Sequence, residues 1–207
     1  MIRPMVRAVR FTEDLSHLPT HKFGTSSLTW WGILGFMIIE GVAFALTFAA
    51  YFFLMGHEQG WPPEGRAAPN LLAGTLFTIV ILLSEPVNTR IKKAALAHDV
   101  GEVRRLMPII VVVGVVLLII RGFEFNSLNC RWTDNAYASI VWALLLLHTT
   151  HILTDWFDTV VLYALMKTRL GFEGRRLEDV DENCMYWRYV WLLWLPIYLM
   201  IYWIPRL

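Results

Sequence analysis

Long apolar stretches, each interrupted by few charged residues, dominate the chain. About 20 apolar residues are needed to cross about 30 Å of hydrocarbon as a helix. Five stretches approach or exceed that length, and each is too rich in Leu, Ile and Trp to be a loop. Backbone groups in lipid must be satisfied within their own segment, so the pattern predicts helices. The five predicted transmembrane helices lie at about residues 28–55, 67–83, 107–125, 136–166 and 186–204.

Composition supports an all-α, polytopic membrane protein. Hydrophobic residues make up 57% of the chain, and it contains ten tryptophans. This composition is far from that of an ordinary soluble domain. The formal net charge is +1, which argues against nucleic acid as a partner, because binding nucleic acid requires a concentrated basic surface.

The distribution of Lys and Arg between the spans predicts the orientation. Connections on the cytoplasmic side of a membrane protein carry an excess of basic residues. With five spans, 13 basic residues fall on one side and 3 on the other, so we expect a cytoplasmic N-terminus and an outside C-terminus. Residues 1–27 would form a cytoplasmic arm and residues 28–207 a single five-helix domain. The larger set is Arg3, Arg7, Arg10, Lys22, Arg90, Lys92, Lys93, Arg104, Arg105, Lys167, Arg169, Arg175 and Arg176, and the smaller set is Arg66, Arg131 and Arg206.

Polar side chains inside the spans need a partner or a purpose, because a charge at the bilayer centre costs at least about 2.5 to 3.5 kcal/mol. Glu40 lies near the middle of the first span. It is either a neutral, hydrogen-bonded acid that ties two helices together or a proton-linked or lipid-facing group. Arg121 and Glu124 are three residues apart on the third span, so we expect a structural ion pair. A lipid headgroup or a neighbouring subunit is the alternative partner for that pair.

Four polar residues share one stripe of the fourth span. His148, His151, Asp155 and Asp158 are separated by 3, 4 and 3 residues, which places them on one helical face. Such spacing could bind a metal, but a di-iron site would need a Glu-x-x-His pair on each of two helices, and one span carries all the intramembrane histidines. We therefore expect no metal, and instead a hydrogen bond between His151 and Asp155, with further partners from other helices.

Four blocks of sequence follow one another in an order typical of a known family. They are "WGILGFMIIEGVAFALTFAAYFF" followed by "GWPPEG", "VVGVVLLIIRGFEF", "LLHTTHILTD" and "MYWRYVWLLWLPIYLMIYWI". In order and spacing they resemble subunit III of the haem-copper cytochrome c oxidases, in the short five-helix form of bacteria. The resemblance covers most of the chain, from about Trp30 to the end.

The resemblance implies roles for individual residues. Glu40 matches the family's carbodiimide-reactive glutamate, near a cleft that holds phospholipid, and Glu124 matches a later family glutamate. His148 and His151 match the two family histidines. These four residues are the expected proton-uptake and lipid-cleft group. The last block supplies Tyr186, Trp187 and Trp191, which we expect to act as anchors at the membrane interface.

Two aspartates depart from the family pattern. Asp155 replaces a family glycine, and Asp158 has no family counterpart. We group them with Arg121 as structural polar residues, and expect the aspartates to meet Arg side chains on a neighbouring helix or subunit.

The implied function is that of a non-catalytic subunit of a respiratory terminal oxidase in the bacterial cytoplasmic membrane. The sequence lacks the histidines on separate helices that haem and copper need, so we expect no catalytic residue and no redox centre in this chain. By the resemblance, subunits I and II hold haem and copper, while this chain stabilises the catalytic subunit, holds phospholipid and supports proton uptake. One alternative is a subunit III-like accessory protein of a nitric oxide reductase. The other is a free-standing membrane metal enzyme that uses His148, His151, Asp155 and Glu40.

Overall fold

Five long helices make up most of the described chain. The computed structural model describes residues 22–58, 60–63 and 67–207, and within these ranges it contains no strand. The helices are α1 (Leu28–Met55), α2 (Leu71–Leu96), α3 (Val100–Asn126), α4 (Ala136–Met166) and α5 (Gly174–Tyr198), and α5 continues through a π turn (Leu199–Trp203). All five are long and apolar enough to cross a membrane, which confirms the predicted all-α, five-helix membrane protein.

Side-chain caps fix where four of the helices begin. Ser27 caps α1, Asn70 caps α2, Asp99 caps α3 and Asn135 caps α4, each accepting a hydrogen bond from a backbone N–H of the first turn. Such a cap satisfies a donor that the helix itself cannot pair and contributes about 1 kcal/mol. Polar residues in the connections therefore set the boundaries of the apolar helices.

Three helices extend beyond the apolar spans predicted for them. The predicted second span ends near residue 83, but α2 runs to Leu96. The predicted third and fifth spans begin near residues 107 and 186, but α3 starts at Val100 and α5 at Gly174. Hydropathy missed these extensions because they contain charged residues. They are helical because one face stays buried, as Asn88 and Ile91 of α2 show.

The helices differ in how much of their surface other helices cover. Helix α4 packs against α1, α3 and α5, and α2 packs against α3 and α5. In the most apolar window of α4, 50% of residues are buried, compared with 6% in α1. Helix α1 thus lies at the edge of the bundle, with side chains such as Ile39 and Leu46 exposed.

The described basic residues of the predicted cytoplasmic side lie at one end of the bundle. The Phe23 ring, just before α1, contacts the His98 ring in the α2–α3 connection, with centroids 5.5 Å apart. Arg104 at the start of α3 donates to the Met166 and Thr168 carbonyls at the end of α4. Orientation of the termini, and the division into arm and domain, stay predictions. Four basic residues used for them, Arg3, Arg7, Arg10 and Arg66, lie outside the described residues.

Candidate functional site

The centre of the bundle holds a buried ion pair with two further partners. Arg121 Nη1 donates to Glu124 Oε2 at 2.7 Å, and their side chains are 1% and 0% exposed. Arg121 Nη2 lies 2.9 Å from His148 Nδ1. A guanidinium is a donor only, so Nδ1 accepts and His148 Nε2 donates to the Val190 carbonyl at 3.1 Å. Tyr202 OH donates to Glu124 Oε1. We call Arg121, Glu124, His148 and Tyr202 the arginine cluster.

Aromatic rings cover the guanidinium of the arginine cluster. The guanidinium carbon of Arg121 lies 4.1 Å from the ring centroid of Phe77 in α2 and 4.5 Å from that of Trp194 in α5. Cation–π contacts are strongest where water is excluded, as it is here. Arg121 Nε has no hydrogen-bond partner in the described part of the chain, so the rings surround a nitrogen that no acceptor reaches. The cluster joins α2, α3, α4 and α5 at one point.

A second polar cluster lies where α1 meets α4 and α5. Tyr186 OH donates to Glu40 Oε2 at 2.7 Å. His151 Nε2 lies 3.0 Å from the same oxygen, but the ring N–H does not point at it, and within the described ranges neither ring nitrogen has a hydrogen-bond partner. Direction decides hydrogen-bond strength as much as distance, so we treat these two groups as close but not bonded. We call Glu40, His151 and Tyr186 the Glu40 cluster.

The two clusters differ in exposure. The Glu40 side chain is 21% exposed at the edge of the bundle, whereas the His151 side chain is 2% exposed. Protonatable side chains within hydrogen-bond reach of one another can hold and pass a proton. The Glu40 cluster therefore has the contacts for proton exchange with the surroundings, and the arginine cluster has no exposed member through which to do so.

A cavity opens between α1, α4 and α5 beside the Glu40 cluster. Its volume is about 240 Å³. Asn183 Nδ2 donates to Asp155 Oδ1 at 3.3 Å and to Asp158 Oδ2 at 3.2 Å. Asp155 is 2% exposed, and its Oδ2 atom has no hydrogen-bond partner among the described residues. We call this the acidic cavity; its lining is Ile33, Phe36, Thr154, Asp155, Asp158, Asp179, Glu182, Asn183 and Tyr186.

Comparison with known protein families identifies the family to which the chain belongs. The family model for cytochrome c oxidase subunit III matches residues 6–205. The chain belongs to the cytochrome c oxidase subunit III family. As a subunit III of this family, it is a multi-pass membrane protein of the respiratory chain and of electron transport. Membership also implies a complex with other oxidase subunits.

Individual relatives are distant but match most of this subunit III-family chain. Cytochrome c oxidase subunit 3 of Synechocystis sp. is 24% identical over 181 residues, covering 86% of this chain and 77% of that protein. The protein of the same name from Thermostichus vulcanus is 25% identical over 177 residues, covering 84% and 87%. The probable cytochrome c oxidase subunit 3 of Mycobacterium leprae is 24% identical over 188 residues, covering 89% and 92%.

The four residues that the family resemblance grouped together lie in two clusters. Glu124 and His148 belong to the arginine cluster, whereas Glu40 and His151 belong to the Glu40 cluster. The predicted contact between Arg121 and Glu124 is confirmed. A proton or lipid role for any of the four stays a prediction.

The predicted hydrogen bond between His151 and Asp155 is wrong. Asp155 Oδ1 instead accepts from Asn183 of α5, because that amide reaches the carboxylate across the helix interface. Arg partners for Asp155 and Asp158 from a neighbouring helix are likewise not found in the described part of this chain, where Asn183 contacts both.

The three predicted interface anchors are inside the bundle. Trp187 is 1% exposed and its Nε1 donates to Ser84 Oγ at 2.8 Å. Tyr186 is 7% exposed and binds Glu40. Trp191 is partly buried, and its Nε1 donates to Glu85 Oε2 at 3.0 Å. They lie at least 12 residues from the start of α5 at Gly174, and their role as anchors at the membrane interface stays a prediction.

Sequence reasoning missed a polar network between α2 and α5. Glu85 accepts from Arg188, Trp191 and Thr89, and Arg188 also donates to Thr89. Glu85 lies just beyond residue 83, where the end of the apolar run predicts the end of the second span. A signal was present, because polar Ser84, Asn88 and then Ile91 continue the helical spacing of Phe77 and Ile81.

The geometry does not support the metal-enzyme alternative. Among residues 22–58, 60–63 and 67–207, no three His, Cys, Asp or Glu side chains are arranged to hold a metal ion. Both ring nitrogens of His148 are already used, by Arg121 and by the Val190 carbonyl. His148 is therefore positioned as a structural hydrogen-bonding residue.

Proposed function

We propose that this chain is the non-catalytic subunit III of a respiratory haem-copper terminal oxidase in a bacterial cytoplasmic membrane. Subunits I and II hold the haem and copper, and this chain stabilises the catalytic subunit, holds phospholipid and supports proton uptake. The observation that carries the proposal is the Glu40 cluster. It combines a partly exposed carboxyl group, a hydroxyl that binds it and an imidazole without a hydrogen-bond partner among the described residues. By the sequence resemblance, Glu40 matches the family glutamate.

The position of Glu40 supports a role at the boundary between protein and lipid. Helix α1 is the least covered helix, and apolar side chains such as Ile38, Ile39 and Val42 are exposed around Glu40. Phospholipid chains contact such a surface without cost, because it is as apolar as they are. An ionisable group at that surface is expensive, so it is retained where it has a function.

The arginine cluster supports the stabilising role from inside the chain. It fixes four helices to one another, so that the surface of the subunit keeps one shape. A rigid surface loses little conformational freedom when it binds, which favours association with the catalytic subunit.

The first experiment identifies the partner. The tagged chain, purified from membranes in mild detergent, is expected to bring down a haem-bearing subunit, seen in the absorption spectrum and by mass spectrometry. Oxygen consumption by the recovered complex is the second expected result. Recovery of nitric oxide reductase subunits, or of no haem protein, would contradict the proposal.

The second experiment tests Glu40. Glu40→Gln is expected to leave the amount of bound haem unchanged and to shorten the active lifetime of the complex during turnover. Glu102→Gln is the matched control, because Glu102 is a half-exposed carboxylate at the start of α3 that pairs with Arg105, outside both clusters. Equal lifetimes for the two variants and the unmodified complex would argue against a proton-supporting role.

A further inference from the structure

The acidic cavity combines a charged interior with an apolar rim. Asp155 and Glu182 lie in its interior, and they are 2% and 4% exposed. Ile33 and Phe36 of α1 line the rim, and Phe36 is 48% exposed. The cavity therefore presents buried carboxylates behind hydrophobic walls that surrounding molecules can reach.

Three of the four carboxylates in the cavity lack positive partners in the described part of the chain. Arg176 Nη1 pairs with Asp179 Oδ2 at 2.6 Å, which accounts for one of four acidic groups. Glu182 accepts a hydrogen bond from Ser27 Oγ at 3.3 Å. Asp155 and Asp158 share the amide of Asn183. Asp155, Asp158 and Glu182 therefore converge with neutral donors and without a cation from the described residues.

One carboxylate oxygen of Asp155 lacks a hydrogen-bond donor among the described residues. The residue lines the cavity, and its buried Oδ2 atom has no hydrogen-bond partner within residues 22–58, 60–63 and 67–207. A buried carboxylate is stable only where it is paired and hydrogen-bonded. Because Asp155 and Asp158 are three residues apart on one helix face, each also repels the other. A cation that enters the cavity would relieve both costs.

We propose that the acidic cavity receives a lysine or arginine side chain from a haem-bearing subunit of the oxidase. This inference rests on the proposed function. The alkyl stem of such a side chain covers apolar surface while its head stays at polar groups, which matches the rim of Ile33 and Phe36 and the interior carboxylates. A bare metal ion fits less well: it would not use the apolar rim, and the described residues offer no three-ligand group.

The consequence is a surface that is incomplete until the partner binds. In the isolated chain the cavity carboxylates repel one another, and in the complex the basic side chain compensates them. Such a charge pair selects the partner and sets its register, because truncating one member leaves the other buried and unpaired.

The first test measures association. The purified chain is titrated into an oxidase preparation depleted of it, and the dissociation constant is measured for the unmodified chain and for Asp155→Asn/Asp158→Asn. The double variant is expected to bind about thirtyfold more weakly, as for other buried charge pairs. Its melting temperature as an isolated chain is expected not to fall, because the substitution removes repulsion. Glu102→Gln/Glu173→Gln, which removes two carboxylates at the same end of the bundle and outside the cavity lining, is expected to bind normally.

The outcomes separate this inference from the proposed function. If the unmodified chain binds no haem-bearing subunit, the proposed function fails. If the unmodified chain and the cavity variant bind equally well, the proposed function stands and this inference is wrong. If the cavity variant does not fold, the second test decides.

The second test uses the unmodified carboxylates. A photoreactive phenylalanine replaces Phe36 at the rim of the cavity or, as control, Phe53 near the far end of α1, which is 64% exposed. Irradiation of the complex is expected to link position 36 to a haem-subunit peptide that contains Lys or Arg, and position 53 not to link to that peptide. Adducts of position 36 with lipid alone would overturn the inference.

Discussion

The arginine cluster and the acidic cavity show two ways of placing charge inside a helical membrane protein. In the arginine cluster, Glu124 accepts hydrogen bonds from Arg121 and Tyr202, and aromatic rings cover the guanidinium. In the acidic cavity, Asp155 has one donor for two oxygens and no positive partner among the described residues. Among the described residues, the charges of the first arrangement are paired and those of the second are not.

This difference separates structural charge from functional charge. Removing one partner of a buried ion pair destabilises the fold, because the other charge is then left buried and unpaired. A buried carboxylate without a cation lowers the stability of the fold, so its removal need not destabilise the chain. The Glu40 cluster is intermediate between the arginine cluster and the acidic cavity. Glu40 accepts one hydrogen bond, and the adjacent imidazole has no hydrogen-bond partner among the described residues.

The largest expected effect is at Arg121. Arg121→Leu leaves the Glu124 carboxylate buried without its cation, so we expect the free energy of unfolding to fall by about 3 to 5 kcal/mol. Denaturant titration of the purified chain in mixed micelles measures it. Arg121→Leu/Glu124→Gln is expected to recover part of the loss, because the unpaired charge is then absent. A loss no larger than that of an exposed substitution would mean that the cluster is not structural.

A smaller effect is expected where α2 approaches Tyr202. A Cβ atom at Gly74 would clash with two ring carbons and the hydroxyl oxygen of Tyr202, so Gly74→Ala forces that side chain to move. Overpacking of this kind costs about 1 to 3 kcal/mol. Gly35→Ala is the matched control in α1, because no atom lies within 4 Å of its Cβ position. Equal unfolding curves for the two variants would contradict the close contact.

The two tyrosines that bind glutamates allow a direct comparison of the clusters. Tyr202→Phe removes a donor from a 0% exposed carboxylate and is expected to cost about 2 kcal/mol. Tyr186→Phe removes a donor from the partly exposed Glu40, where other donors can replace it, and is expected to cost about 1 kcal/mol or less. Unfolding free energies of the two variants, measured side by side, test the order. The reverse order would contradict the distinction between the clusters.

The smallest expected effect is at Asp155, where substitution is not expected to lower the free energy of unfolding. Asp155→Asn replaces a carboxylate that lacks a cation by a neutral group of the same shape. The free energy of unfolding of the isolated chain is expected to stay within about 0.5 kcal/mol of its original value or to rise. A clear loss of stability would show that Asp155 belongs with the structural charges.

Much of the fold followed from hydropathy, but not the helix boundaries. The number of helices and the all-α class could be predicted because lipid admits few other solutions for long apolar segments. The end of α2 and the starts of α3 and α5 could not be read in that way, since these turns contain charges and are held by burial of one face. The omission of Glu85 from the second span follows from this limit of hydropathy.

The candidate site was predictable in its members but not in its contacts. Spacing along α3 was sufficient to pair Arg121 with Glu124, because residues three apart are neighbours on any helix. The same spacing rule paired His151 with Asp155, and there it failed because Asn183 of α5 reaches Asp155 instead. Spacing within one helix does not say which groups a neighbouring helix brings.

The sequence by itself determined the five helices, the positions of the charges along them and the family resemblance that the comparison bears out. These depend on hydrophobicity, spacing and motif order, which are properties of the linear chain. Only the tertiary structure decided how the stripe of His148, His151 and Asp155 is divided. Helix packing directs His148 to the arginine cluster, His151 to Glu40 and Asp155 into the cavity. The physical reason is that contacts between helices decide which charges are buried and which are paired. These contacts distinguish a paired, structural charge from one without a cation among the described residues.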